Sequence, residues 1–117
     1  FELNEDKTGY ILAGMGDCTD TDIVIPAVYN DLPVIAIGNG AFYNRSNITS
    51  ITIPDSVTEI GYSAFHGCES LTNITIPSSV KFIGSAAFEW CHVKIHAPIG
   101  SYAETYAKDN NIPFVAE

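Results

Sequence analysis

The sequence predicts a short solenoid, in which similar units of the chain stack on one another through a narrow parallel sheet. Three observations predict it: an internal repeat of 23 residues, alternation of β-branched residues with threonine in each copy, and a break in the repeat after residue 92. A unit this short cannot bury an apolar face by itself, whereas stacked units share one core.

The repeat keeps one register through three matched segments. Residues 48–54 (ITSITIP), 56–61 (SVTEIG) and 63–68 (SAFHGC) recur 23 residues later as 71–77 (LTNITIP), 79–84 (SVKFIG) and 86–91 (AAFEWC). A looser copy precedes them, with its strand at residues 22–26 and five extra residues before Gly38. The insertion, residues 27–33, contains Asn30, Asp31 and Pro33 and therefore predicts a turn or protruding loop.

Stacking places equivalent residues in columns. We expect an aromatic column, an aliphatic column and a sheet whose isoleucines face inwards, while Val24, Thr52 and Thr75 face solvent with Asp22, Ser50 and Asn73 nearby. The inward columns are Phe42, Phe65 and Phe88; Ile37, Ile60 and Ile83; Ile25, Ile53 and Ile76; and Ile23, Ile51 and Ile74.

Proline and glycine punctuate each unit. Pro54 and Pro77 cannot donate to a ladder and end the strands before them. Gly61 and Gly84 are expected to take backbone conformations that are awkward for other residues.

The two ends depart from the repeat, as the exposed ends of a solenoid require. Residues 1–19 predict a β-hairpin cap, with strands at 1–3 and 10–13. After three repeats (20–47, 48–70 and 71–92), residues 93–117 predict a cap made of a strand at 93–95, a helix at about 101–110 and a terminal strand. In this reading Lys94 falls in the threonine column, and Ser101 and Glu104 form a capping box. We expect Glu117 to lie near the natural C-terminus and the whole to be a small solenoid closed at both ends.

The pattern LxxIxIPxSVxxIGxxAFxxC resembles the BspA-type (Treponema-type) leucine-rich repeat of bacterial surface proteins. The resemblance covers roughly residues 20 to 92, and the first unit departs from it by its insertion and by Arg45 in place of cysteine. It implies a leucine-rich-repeat solenoid of about three to four units in an extracellular or cell-surface protein, with no cofactor.

Composition argues against two classes of partner. The formal net charge is −9, and the five basic residues are scattered singly along the chain. Nucleic acids and anionic membranes both require clustered Lys and Arg. No apolar run approaches the ~20 residues needed to span a bilayer.

Cysteine and histidine residues offer the strongest argument for an enzyme. His66, Cys68, Cys91, His92 and His96 lie near the ends of two adjacent units, and zinc accepts such ligands. However, Cys68 and Cys91 occupy a repeat position that packing explains, and the spacings match no zinc motif. A reduced cysteine ladder, a Cys68–Cys91 disulfide and a zinc- or thiol-dependent enzyme remain as alternatives. Asp17, Asp20 and Asp22 around Cys18 predict a solvated loop and not a calcium site.

Two surfaces are candidates for binding. The sheet face carries Thr52, Thr75, Asn73 and Lys94. A second face carries Tyr43, His66 and Glu89 in one column, with Trp90 beside it. Exposed aromatic residues are frequent interface anchors, although Trp90 could instead cover the last repeat beneath the cap helix.

The favoured function is a non-catalytic module that binds a protein or glycan partner, with host or cell adhesion as its setting. A structural spacer without a ligand of its own is the alternative.

Overall fold

The computed structural model describes residues 1–14 and 21–117 of the chain and folds them into two sheets and one helix. The predicted acidic loop around Asp17, Cys18 and Asp20 lies outside the described residues. In chain order the elements are β1 (Glu2–Leu3), β2 (Tyr10–Leu12), β3 (Asp22–Val24), β4 (Val28–Tyr29), β5 (Leu32–Ile37), β6 (Ser50–Thr52), β7 (Glu59–Ile60), β8 (Asn73–Thr75), β9 (Phe82–Ile83), β10 (Lys94–Ala97), α1 (Tyr102–Asp109) and β11 (Phe114–Ala116).

The predicted parallel sheet is formed by β3, β6, β8, β10 and β11, in that order. We call it the threonine sheet. Its strands keep the repeat register, so that Ile23 pairs with Ile51 and Thr52 with Thr75. Ile51, Ile74 and Ile95 are buried, and the threonines are exposed. The predicted inward and outward faces are therefore confirmed.

A second sheet accompanies it. Strands β1, β2, β5, β7 and β9 pair in that order, and β4 joins β5 as an antiparallel hairpin. We call this the hairpin sheet. The expected aliphatic column is a register row of this sheet, since Ile37 pairs with Ile60 and Ile60 with Ile83. Strands β7 and β9 have two residues each, which is too short for alternation to reveal a strand in the sequence.

The core lies between the sheets and is closed on a third side by the turn segments. The rings of Phe42, Phe65 and Phe88 stack with centroids 5.3 Å apart and interplanar angles of 4° and 6°. The backbone N–H of Phe42 donates to the carbonyl of Ala64, and that of Phe65 to Ala87, both at 2.8 Å. The aromatic column is thus built on hydrogen bonds between successive turns.

The expected role of Gly61 and Gly84 needs correction. Neither has a positive φ. A Cβ at Gly61 would lie 2.6 Å from the backbone N of Asn39, and one at Gly84 would lie 2.6 Å from that of Tyr62. Close approach of successive turns, and not an unusual backbone conformation, therefore excludes a side chain.

At the N-terminal end, β1 pairs antiparallel with β2, as the sequence predicts, and β2 runs parallel to β5. The insertion forms the β4–β5 hairpin, with Asn30 and Asp31 at φ values of 47° and 69°. Two consecutive positive φ values are typical of a tight hairpin turn. The ring of Tyr29 stacks on that of Phe1 with a centroid separation of 4.3 Å, which ties the two hairpins together.

At the C-terminal end, α1 begins after Ser101, whose hydroxyl accepts the backbone N–H of Glu104. The Glu104 carboxylate accepts the backbone N–H of Gly100 and not that of Ser101, so the expected capping box is displaced by one residue. Asn111 has a φ of 57°, and the N–H of Ile112 donates to the carbonyl of Ala107. This bond is that of a Schellman cap.

Candidate binding faces

The turn edge carries the predicted column of Tyr43, His66 and Glu89. The rings of Tyr43 and His66 stack with centroids 4.7 Å apart and an interplanar angle of 8°. Half of the Tyr43 side chain is exposed, at 50%. His66 Nδ1 is buried and has no hydrogen-bond partner among the described residues. The repeat therefore presents an open aromatic ring on a rigid ladder.

Trp90 lies beside this column, in the positions equivalent to Asn44 and Gly67. Its side chain is 70% exposed and its φ is 62°. It does not cover the last repeat beneath α1, as the alternative interpretation held. Instead Tyr106 of α1 packs edge-on against Phe88, with ring centroids 6.3 Å apart. Neither burial nor backbone preference explains a tryptophan at this position.

The exposed face of the threonine sheet is a second surface. Thr52 and Thr75 lie side by side in adjacent strands, and Asn73 is exposed in the neighbouring row. At the other end of the sheet, Asp22 Oδ1 accepts a 2.6 Å hydrogen bond from the Ser50 hydroxyl. Short polar side chains at fixed strand spacing make this a flat surface that can form hydrogen bonds.

The predicted position of Lys94 is wrong. Lys94 pairs with Asn73, and His96 is the residue that pairs with Thr75. Strand β8 begins five residues after Cys68, whereas β10 begins three residues after Cys91. Because the linker is shorter by two residues, the strand is displaced relative to the 23-residue register. His96 Nε2 forms a 2.9 Å hydrogen bond with Asn73 Oδ1.

The thiols of Cys68 and Cys91 are free and belong to the stack. The Cys68 thiol donates to the carbonyl of Phe42 at 3.1 Å, and the Cys91 thiol to that of Phe65 at 2.7 Å. Hydrogen bonding to Cys91, together with burial, raises the pKa of Cys68, and hydrogen bonding to Cys68 lowers the pKa of Cys91. Neither thiol is hydrogen-bonded to a histidine or carboxylate of the described chain.

Within residues 1–14 and 21–117, no three His, Cys, Asp or Glu side chains are grouped so that they could hold a metal ion. The suggested set of His66, Cys68, Cys91, His92 and His96 is therefore not brought together as a ligand cluster. Over the same residues, no helix is both long and apolar enough to cross a bilayer.

A cleft on the hairpin sheet escaped the sequence analysis. It has a volume of about 440 Å³, and its exposed lining includes Glu2, Glu59, Tyr62 and Phe82. Glu59 and Phe82 pair across β7 and β9. Their positions differ in type between the two repeats, so no column of similar residues marked this surface in the sequence.

Comparison with known proteins places the fold in a family. The family model described as BspA type leucine-rich repeat region (6 copies) matches residues 34–106. No curated protein matches the chain at a significant level.

Two solved structures share the architecture. A leucine-rich cell surface protein from Faecalibacterium prausnitzii is 38% identical, with a TM-score of 0.66, over 81% of this chain and 27% of that protein. A leucine-rich-repeat protein from Bacteroides capillosus is 23% identical, with a TM-score of 0.57, over 81% of this chain and 91% of that protein. The chain thus spans about a quarter of the first of these proteins. Because the match of the family model covers more than half of its residues, the chain belongs to the BspA-type leucine-rich-repeat family.

Proposed function

We propose that this chain is a non-catalytic binding module of a secreted or cell-surface bacterial protein, with a protein or glycan as its partner. The observation that carries the proposal is Trp90, a largely exposed tryptophan at a positive φ beside the stacked rings of Tyr43 and His66. Large exposed aromatic residues are common anchors of interfaces, and unfavourable backbone conformations are concentrated at functional sites.

The surroundings of Trp90 support this role. Hydrogen bonds between successive turns hold the edge in place, including Asn44 N–H to the carbonyl of His66 at 2.6 Å and Gly67 N–H to that of Glu89 at 2.9 Å. An anchor on a rigid ladder loses little conformational entropy when it binds. The exposed face of the threonine sheet, with Thr52, Thr75, Asn73 and Lys94, offers further polar contacts to a large partner.

The location outside the cell rests on family resemblance, because the similar Faecalibacterium prausnitzii protein is described as a cell surface protein. Adhesion to host tissue or to other cells is the biological setting that we propose. A spacer that displays other domains is the competing function, and it requires no conserved chemistry on the turn edge.

The binding test uses the chain on a glycan array and on a panel of immobilised host extracellular-matrix proteins. Trp90→Asn is the central variant, because Asn44 occupies the equivalent position at a φ of 56°, so that the fold tolerates the change. Ile99→Ser is the matched control, since Ile99 is 77% exposed away from the aromatic column.

We expect at least one ligand to bind the wild type and the Ile99→Ser variant and to lose most of its affinity for Trp90→Asn. The chain has one tryptophan, so a change in its fluorescence with that ligand reports contact directly. Wild-type protein that is folded yet binds nothing on either surface would favour the spacer.

A further inference from the structure

We propose that the cleft of the hairpin sheet is a second binding site, which accepts an extended segment of a partner protein bearing arginine or lysine side chains. The site is separate from the turn edge that carries Trp90 and does not depend on the function proposed for that edge.

One register row forms the cleft. Glu2 pairs with Ile11, Ile11 with Ala36, Ala36 with Glu59, and Glu59 with Phe82. The next row contains the buried Ile37, Ile60 and Ile83, and side chains of adjacent rows point to opposite faces. The row from Glu2 to Phe82 therefore faces outwards across the sheet.

The middle of this row is a shallow apolar floor. Ile11 is half-buried and Ala36 is buried, and Gly38 and Gly61 extend the floor along the strands. With no long side chain between them, Glu2 and Glu59 stand on either side of the depression. Three strand spacings separate them, or about 14 Å between their backbones.

The charges in the cleft are unbalanced. Glu2 and Glu59 are exposed, and neither forms an ion pair or side-chain hydrogen bond with another described residue. No lysine or arginine lines the cleft, and the chain carries a net charge of −9. Two uncompensated carboxylates beside an apolar floor are complementary to the aliphatic stem and cationic head of arginine or lysine.

Two aromatic rings complete one end of the site. Tyr62 and Phe82 are 51% and 39% exposed and meet edge to face, with centroids 5.8 Å apart. Aromatic faces attract the guanidinium and ammonium groups. The rings therefore favour the same ligand chemistry as the carboxylates.

A glycan fits this cleft less well. Sugar hydroxyls require both donors and acceptors, but the carboxylates only accept hydrogen bonds when they are ionised. The amide side chain of Asn39 is already engaged, because its Oδ1 accepts the backbone N–H of Tyr62 at 2.8 Å. An extended peptide advances about 3.3 Å per residue, so basic residues four positions apart would reach both carboxylates.

The test measures binding of a fluorescein-labelled Arg-Thr-Thr-Thr-Arg peptide by fluorescence anisotropy, with the citrulline analogue as the uncharged probe. We expect the arginine peptide to bind, with amide chemical shifts changing at Ala36, Gly38 and Gly61, and the citrulline peptide to bind far more weakly. Glu59→Gln should weaken binding about two- to fivefold, the range of one exposed charge pair. Phe82→Ile should weaken it as well, whereas Glu69→Gln, an exposed carboxylate elsewhere, should not.

Three outcomes would overturn the proposal. The first is equal weakening by Glu59→Gln and Glu69→Gln, which would indicate non-specific attraction to an acidic chain. The second is binding of neutral oligosaccharides with shifts at the same amides, which would assign the cleft to glycans. The third is the absence of binding by wild-type chain whose amide spectrum is that of a folded protein.

Discussion

Gly61 and Gly84 show how one atom limits the sequence at sites where successive turns come closest. Other consensus residues also act through single bonds between turns. The hydroxyls of Ser56 and Ser79 donate to the carbonyls of Val34 and Val57, each at 2.7 Å. These bonds satisfy carbonyls that would otherwise lack a partner between the two sheets, which gives the consensus serine a structural role.

Gly61→Ala should destabilise the chain by about 1–3 kcal/mol, the usual cost of overpacking, because the new Cβ would meet the backbone of Gly38 and Asn39. The free energy of unfolding in urea measures this. Gly14→Ala is the control, since its Cβ would find only the carbonyl oxygen of Ala41, at 3.8 Å. Its effect should stay below about 1 kcal/mol. Equal losses in the two variants would contradict the steric explanation.

The elements are individually too short to persist alone. Helix α1 has eight residues, fewer than an isolated helix needs in water, and its stability therefore depends on its caps and on docking. Besides binding the N–H of Gly100, Glu104 forms a 2.8 Å ion pair with Lys108 one turn later. The Lys108 contact, followed by the Gly100 N–H, lowers the pKa of Glu104 from its ordinary 4.5.

Glu104→Gln should lower the melting temperature at neutral pH but not in strong acid. Since the pKa of Glu104 is lower in the folded chain, its contribution is complete above about pH 4.5 and is lost as the pH falls through the lower value. Circular dichroism melts of both proteins between about pH 7 and pH 2 measure the difference. A gap of constant size over that range would mean that the carboxylate charge plays no part.

Across the whole molecule, stability comes from one continuous core that must be covered at its ends. Ala103 and Ala107 of α1 are buried, and the helix packs against β9, β10 and β11. It closes the C-terminal end of the stack, where Phe88 and Ile95 would otherwise face solvent. Terminal units of solenoids need such a polar outer surface to stay monomeric.

Ala107→Glu should displace the cap, because a carboxylate has no partner in the apolar contact that Ala107 makes. We expect the variant to associate or aggregate, as size-exclusion chromatography with light scattering would show. Thr105→Glu places the same side chain on the exposed face of the helix and should behave as the wild type does. A monomeric Ala107→Glu variant with an unchanged melting temperature would show that the cap is dispensable.

Much of the site lay within reach of the sequence because it follows the repeat. Tyr43 and His66 are 23 residues apart, and they stack as that spacing predicts. Lys94 was misplaced because the register changes after Cys91 by two residues, and no signal in so short a strand shows it. The exposure of Trp90 depended on where α1 packs, which the pattern of the repeat does not specify.

The sequence by itself determined the repeat, its inward columns and the two atypical ends, because periodic burial leaves a periodic pattern of residue types. Only the tertiary structure decided the second sheet and the cleft upon it. Strands of two residues leave no readable alternation, and Glu2, Ile11, Ala36, Glu59 and Phe82 become one surface only when five strands are brought into register.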